Sequence, residues 1–256
     1  MEKDFKKYAT KHIGLNTTLV DDVISSQVNA SMTPMILEER KMRVSLMSVF
    51  DRMMMDRIIW ISGPITNRTS SVVQAQLMYL NSVNDDRDIT IHLDTPGGSV
   101  MAGLSIIDVM NYVKPDIATI NLGMCASMGS VLLSSGTKGK RSSLIYSKVM
   151  THMVSHGTSG NIQDTRISQL EAEKYNYILF KKLAENTGKS FEDVYVLSRF
   201  DRWFNSDEAL EFGLIDEIIG LDNNNTISSM LDGFDEYYKD EVLNNNILLS
   251  NKNGNI

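Results

Sequence analysis

The 256-residue chain holds a single cysteine, Cys125, which excludes an internal disulfide framework and fits a reducing compartment. Long apolar runs are missing too. The longest, such as Ile58-Ile59-Trp60-Ile61, is far too short to cross a bilayer. The first twelve residues, MEKDFKKYATKH, are charged and lack an apolar core segment, so no secretory signal is expected. Positive charge is in short supply: 25 Lys and Arg stand against 32 Asp and Glu, a net charge of −7. A nucleic-acid binder needs clustered cations to replace counterions, and the run Lys138-Gly139-Lys140-Arg141 is too short to supply them. The four histidines, His12, His92, His152 and His156, form no His-Glu-x-x-His pattern and have no paired cysteines beside them, so no dedicated metal site is expected. The glycines and lysines of 136–140 have the wrong spacing for a phosphate loop and follow a predicted helix end, so no nucleotide site is expected either. These absences describe a soluble cytoplasmic protein.

What is present is a core-forming chain. Apolar residues make up 42%, enough for one large domain or one domain with appendages. Three zones differ in composition. Residues 1–33 are mixed and polar, an N-terminal extension. Residues 34–220 alternate strand and helix signals. Residues 221–256 are rich in Asn and acidic side chains and form a tail that buries little. Within the central zone, 57–62 reads as a strand ending at Gly63-Pro64, and 70–83 as a helix with Val73, Leu77 and Leu80 on one face. Residues 89–93 alternate as a strand, Thr95-Pro96-Gly97-Gly98 turns, and Leu104, Ile107 and Met110 continue as a helix. A strand at 116–121, a helix through Leu133 and a long amphipathic helix at 163–186 follow. Strand, turn and helix in repetition imply an α/β fold with largely parallel strands.

The segment Asn121-Leu-Gly-Met-Cys-Ala-Ser-Met-Gly-Ser130 carries one central hydroxyl, Ser127, where a strand gives way to a helix. Serine is a favoured helix N-cap, so a cap accounts for it. A nucleophile accounts for it as well, provided a base, an orienting acid and an oxyanion site come within reach. Gly123, Ala126 and Gly129 would leave room for a substrate backbone. The segment is not the Gly-x-Ser-x-Gly elbow, because Cys125 stands where the first glycine would be. Cys125 itself could attack as a thiolate, although a lone buried cysteine more often acts as a small hydrophobe. For the base, position alone does not choose His152 over His156. Asp201, in Ser-Arg-Phe-Asp-Arg-Trp-Phe, has apolar neighbours able to shield it from water, or else it is a surface acid paired with Arg199 or Arg202. Gly97-Gly98 is either a plain turn or exposed backbone whose amide could meet an oxyanion.

Five ordered motifs then decide the matter. TPGGSVMAGLSIIDVM, GMCASMGSVLL, GTKGKR, SKVMTH and DRWFNSDEALEFGLID resemble, in order and spacing, the Clp protease proteolytic subunit family, over roughly 34–220. The resemblance implies a ClpP/crotonase-like fold of stacked β-β-α units with a projecting handle helix, here about 163–186. It implies Ser127 as nucleophile, His152 as general base and Asp201 as orienting acid, with the Gly98 and Met128 amides as oxyanion donors. The implied protein is a serine endopeptidase that cuts unfolded chains inside two stacked seven-membered rings. A hexameric AAA+ unfoldase would feed it. The chain would need no cofactor, ATP being used by that partner.

Departures from the family pattern carry expectations of their own. Met153-Val154 stands where Gln-Pro usually follows the histidine, which bears on the substrate cleft. Phe200 replaces an arginine that couples ring contacts to the acid. Thr90 and His92 replace tyrosines of the partner-docking pocket, while Tyr112, Ile120, Leu122, Leu144 and Ile219 keep its apolar character. Residues 1–33 take the place of a propeptide. The alternative is a weakly active or inactive structural subunit of a mixed ring. An acyl-CoA-processing crotonase is a third reading, because that fold also holds oxyanions with amides.

Overall fold

The computed structural model describes residues 35–40, 43–220 and 226–234. His12, the extension 1–33 and most of the tail 221–256 lie outside them. The chain divides into two compact units, Met1–Trp60 and Ile61–Ile256. In the first, β1 (Met35–Arg40) and β2 (Arg43–Ser48) pair antiparallel, from Met35 opposite Ser48 to Arg40 opposite Arg43. Helix α1 (Val49–Met55) follows directly, started by a capping box: the Asp51 amide donates to Ser48 Oγ at 3.0 Å and the Ser48 amide to Asp51 Oδ2 at 3.2 Å.

The division falls inside β3 (Ile58–Ser62), the first strand of a sheet ordered β3-β4-β5-β6-β9, with β4 at Ile89–Thr95, β5 at Ile117–Ala126, β6 at Arg141–Leu144 and β9 at Glu217–Ile219. The β4–β5, β5–β6 and β6–β9 pairs are parallel, as the alternating strand and helix pattern predicts. Strand β5 runs longer than the sequence pattern indicates because it serves two neighbours. Residues 119–121 pair with β6, and Met124, Cys125 and Ala126 pair with β7 (Lys148–Thr151). Strand β7 in turn pairs antiparallel with β8 (Arg202–Phe204).

Helices α2 (Asn67–Val83) and α3 (Val100–Tyr112) connect the first strands. On α2 the predicted face is the buried one, with Val73, Leu77 and Leu80 at 3% exposure or less. On α3 the buried face centres on Ala102, Gly103, Ile106, Ile107 and Met110, and Leu104 lies only at its margin. Helix α4 (Met128–Ser134) is buried along its whole length. The handle helix α5 (Ile162–Thr187) matches its predicted span within a residue at each end and buries only Leu179, Phe180 and Leu183. Helices α6 (Phe191–Ser198), α7 (Ser206–Phe212) and α8 (Ile227–Met230) complete the described chain. Ser228 donates from both its amide and its hydroxyl to Asp207, which seats α8 on the start of α7.

Within the second unit the core is apolar and continuous through β4, β5 and α4, with Leu77, Ile89, Ile106, Cys125 and Leu133 fully buried. Its main buried ion pair is Arg141–Asp216. Arg141 donates to Asp216 from Nε at 2.8 Å and from Nη2 at 2.6 Å, and from Nη1 to the carbonyls of Ser134 and Asn186. One guanidinium thus ties the C-terminal ends of α4 and α5 to β9.

Candidate active site

Ser127 stands at the single residue between β5 and α4. Its φ of 55° and ψ of −123° belong to a region that non-glycine residues rarely occupy. Its side chain makes no capping hydrogen bond, so the cap reading fails. The strained backbone instead turns the hydroxyl away from the helix. Three bonds hold the turn in place: the Ser127 amide donates to the Met150 carbonyl at 2.8 Å, and the Ser130 amide and Oγ both donate to the Ser127 carbonyl, at 3.0 Å and 2.7 Å.

His152 Nε2 lies 2.8 Å from Ser127 Oγ, and His152 Nδ1 lies 3.1 Å from Asp201 Oδ1. Sheet register makes both contacts. The β5–β7 pairing carries Ala126 opposite Met150, so the residues that leave the two strands diverge around a shared edge. The antiparallel β7–β8 pairing ends with Thr151 opposite Arg202, and one more step sets His152 facing Asp201. Ser198 Oγ donates to Thr151 Oγ1 at 2.9 Å, a buried bond that fixes the approach to Asp201. His156 stands exposed four residues further along.

Asp201 departs from expectation. Its apolar neighbours do not shield it: the carboxylate is 64% exposed, against 21% for the His152 ring, and Phe200 is 74% exposed. It does not pair with the flanking arginines either. Arg202 bonds Glu208, and Arg199 lies over the Phe200 ring at 5.4 Å. The neighbouring aromatic side chains point outward from a two-stranded edge, which local sequence cannot reveal.

The glycines also sort differently from the expectation. Gly123 packs against Asp94 and Gly129 against Thr95, so they serve packing between β4 and the β5–α4 turn rather than room for a substrate. Gly98 takes part in a bridge to Ile65 in which Ile65 donates to the Gly97 carbonyl and Ser99 donates to the Ile65 carbonyl. That arrangement leaves the Gly98 amide outside the bridge. Met128, first residue of α4, likewise has an amide with no intrahelical acceptor.

Cys125 is fully buried, and burial, reinforced by the Asp94 carboxylate, pushes its thiol well above the usual value. A thiol held protonated is no nucleophile. Beside Ser127 lies a cavity of about 260 Å³, lined with apolar groups from Val131, Met150, Leu179, Phe180 and Leu183.

A family model described as Clp protease matches residues 39–222. The chain belongs to the Clp protease family. Three curated relatives are each named "ATP-dependent Clp protease proteolytic subunit". The one from Bacteroides fragilis strain YCH46 is 47% identical over 216 residues, 84% of this chain and 98% of its own length. That from Bacteroides thetaiotaomicron is 45% identical over the same shares. That from Porphyromonas gingivalis strain W83 is 46% identical, covering 84% of this chain and 97% of its own. Family membership and the parallel sheet with its handle helix together bear out the expected ClpP/crotonase-like fold.

Most of the residues expected to shape a Clp docking pocket gather on one sheet face, while Tyr112, the last residue of α3, stands exposed away from the strands. His92 lies opposite Ile120 and Leu144 opposite Ile219, and Thr90, Leu122 and these four are all partly exposed. Among the described residues no helix is long and apolar enough to cross a membrane. Short-range reading had no means to find the Thr151–Ser198 bond, since its partners lie 47 positions apart.

Proposed function

We propose that this Clp protease family member is a serine endopeptidase subunit in which Ser127 attacks, His152 moves the proton and Asp201 orients the imidazole. The observation that carries the reading is the continuous run of two hydrogen bonds from Ser127 Oγ through His152 to Asp201, 2.8 Å and 3.1 Å. The Ser127 oxygen adds to the scissile carbonyl as its proton passes to His152 Nε2. Negative charge moves onto the carbonyl oxygen, where the Gly98 and Met128 amides and the start of α4 stabilise it. Collapse expels the amine, which takes the proton from His152, and leaves an acyl group on Ser127. Water attacks that ester with His152 again as base, releasing the second peptide and restoring the serine. The apolar cavity beside Ser127 suits a hydrophobic substrate side chain.

The fuller reading is a compartment of two stacked seven-membered rings in the cytoplasm, fed with unfolded chains by a hexameric AAA+ unfoldase that consumes the ATP. The relatives' shared name supports the ATP-dependent part of it. The partly exposed sheet face around Thr90, His92 and Ile120 supports a docking site. In the assembled particle a neighbouring subunit packing on Phe200 would provide the shielding that Asp201 lacks in the single chain. The test is Ser127→Ala, assayed for peptide hydrolysis and for native mass. Hydrolysis is expected to disappear with the assembly unchanged, and wild-type turnover in that variant refutes the assignment.

A further inference from the structure

The chain leaves β7 at His152 and runs without regular structure until α5 begins at Ile162. Met153, Val154 and Ser155 line the cavity beside Ser127. A second cavity, about 440 Å³, adjoins it and is lined by Asn176, Tyr177, Phe191 and Tyr195. Met153 and Phe180 line both, so the 153–155 segment walls the first cavity and, at Met153, has open space on its other side as well. Packing alone therefore does little to fix it.

One hydrogen bond does. The Val154 amide donates to Asn176 Oδ1 at 2.7 Å, in a partly buried setting. Among the described residues it is the sole hydrogen bond from 153–160 to the rest of the chain. It exists because residue 154 is not proline, whose nitrogen carries no hydrogen to donate. A valine here has gained a donor that requires a partner, and α5 supplies that partner one turn before Leu179 and Phe180, which also line the cleft.

We propose that Asn176 is a positioning residue for the peptide cleft: by accepting from Val154 it sets the wall against which a substrate chain lies. The proposal rests on the reading of Ser127 as nucleophile and of the adjoining cavity as the place where substrate binds. The Val154–Asn176 bond is separate from the two that orient His152, which run to Ser127 and Asp201, so its loss acts on binding rather than on the attacking group.

The test is Asn176→Ala in the full chain, with Asn176→Asp as the rescue. Alanine is the stronger helix former, so α5 keeps its stability. A partly buried amide left without its acceptor is expected to raise KM for a peptide substrate roughly tenfold, with kcat within about twofold of wild type. Labelling of Ser127 by a small fluorophosphonate, which does not span the wall, stays at the wild-type rate. Asn176→Asp retains the acceptor oxygen and returns KM to the wild-type value. Unchanged KM in Asn176→Ala, or a fall in kcat and labelling together with a rise in KM, overturns the proposal. Absence of labelling in the wild-type protein instead brings down the serine reading, and the two failures are thereby told apart.

Discussion

Gly97 lies against Ser127 so closely that a β-carbon on it would stand 2.8 Å from the Ser127 β-carbon and 2.5 Å from the Ala126 carbonyl oxygen. Its φ of 88° is also one that side chains seldom adopt. The loop bearing the Gly98 amide and the turn bearing Ser127 and the Met128 amide are held together by what residue 97 lacks.

Gly97→Ala is therefore expected to separate the two amides, and a displacement of about 1 Å costs on the order of 100-fold in kcat/KM. Steady-state peptide cleavage, read beside a melting curve, checks it. Wild-type turnover in that variant contradicts the close approach.

Cys125 makes the opposite prediction. Its thiol is enclosed by β4, β5 and β7 and pushed upward in pKa. Native protein is expected to resist iodoacetamide at mildly alkaline pH, with full reaction only after denaturation, and Cys125→Ala keeps the wild-type kcat. Mass spectrometry of the alkylated protein decides the first point, and a native adduct that abolishes cleavage contradicts both.

The Arg141–Asp216 pair predicts an acid-sensitive brace. Burial pushes the Asp216 carboxyl up, but the hydrogen bonds and charge of Arg141, with the Gly139 and Arg141 amides, outweigh it and hold the group below its ordinary 3.8. A folded value below the unfolded one means stability that is complete above the ordinary value and lost as pH falls through the native one. Asp216→Asn leaves the Arg141 guanidinium, 3% exposed, without a counter-charge. At neutral pH this is expected to lower the unfolding free energy by about 3 kcal/mol. Denaturant unfolding at one protein concentration should show that gap flat at neutral pH and closing in acid. A gap of the same size in strong acid contradicts the assignment.

These residues differ in how far the sequence announced them. Helices with a regular apolar stripe were legible: Val73, Leu77 and Leu80 repeat at helical spacing, and the long helix was placed within a residue at each end. The short antiparallel ladder at 35–48 carries no such signal. Ser127 is visible as a hydroxyl at a strand–helix junction, but its positive φ is not, and only that backbone distinguishes a capping hydroxyl from one that projects away from the helix. His152 and Asp201 meet through the register of β7 and β8, a pairing between segments some fifty residues apart that no local pattern encodes. Motif order supplied what periodicity lacked. The apolar residues around Asp201 misled for a plain reason: near the sheet edge Phe200 and Trp203 face outward, so hydrophobic neighbours in sequence are not neighbours in space.

The central claim is that the 127 hydroxyl is made reactive by the 152 imidazole, and the rate of fluorophosphonate modification, with the adduct mapped by mass spectrometry, tests it most directly. In the wild-type protein the adduct is expected on Ser127 at one per chain, and in His152→Ala the rate falls by at least about 1000-fold. An adduct on a different residue, or equal rates in the two proteins, contradicts the account.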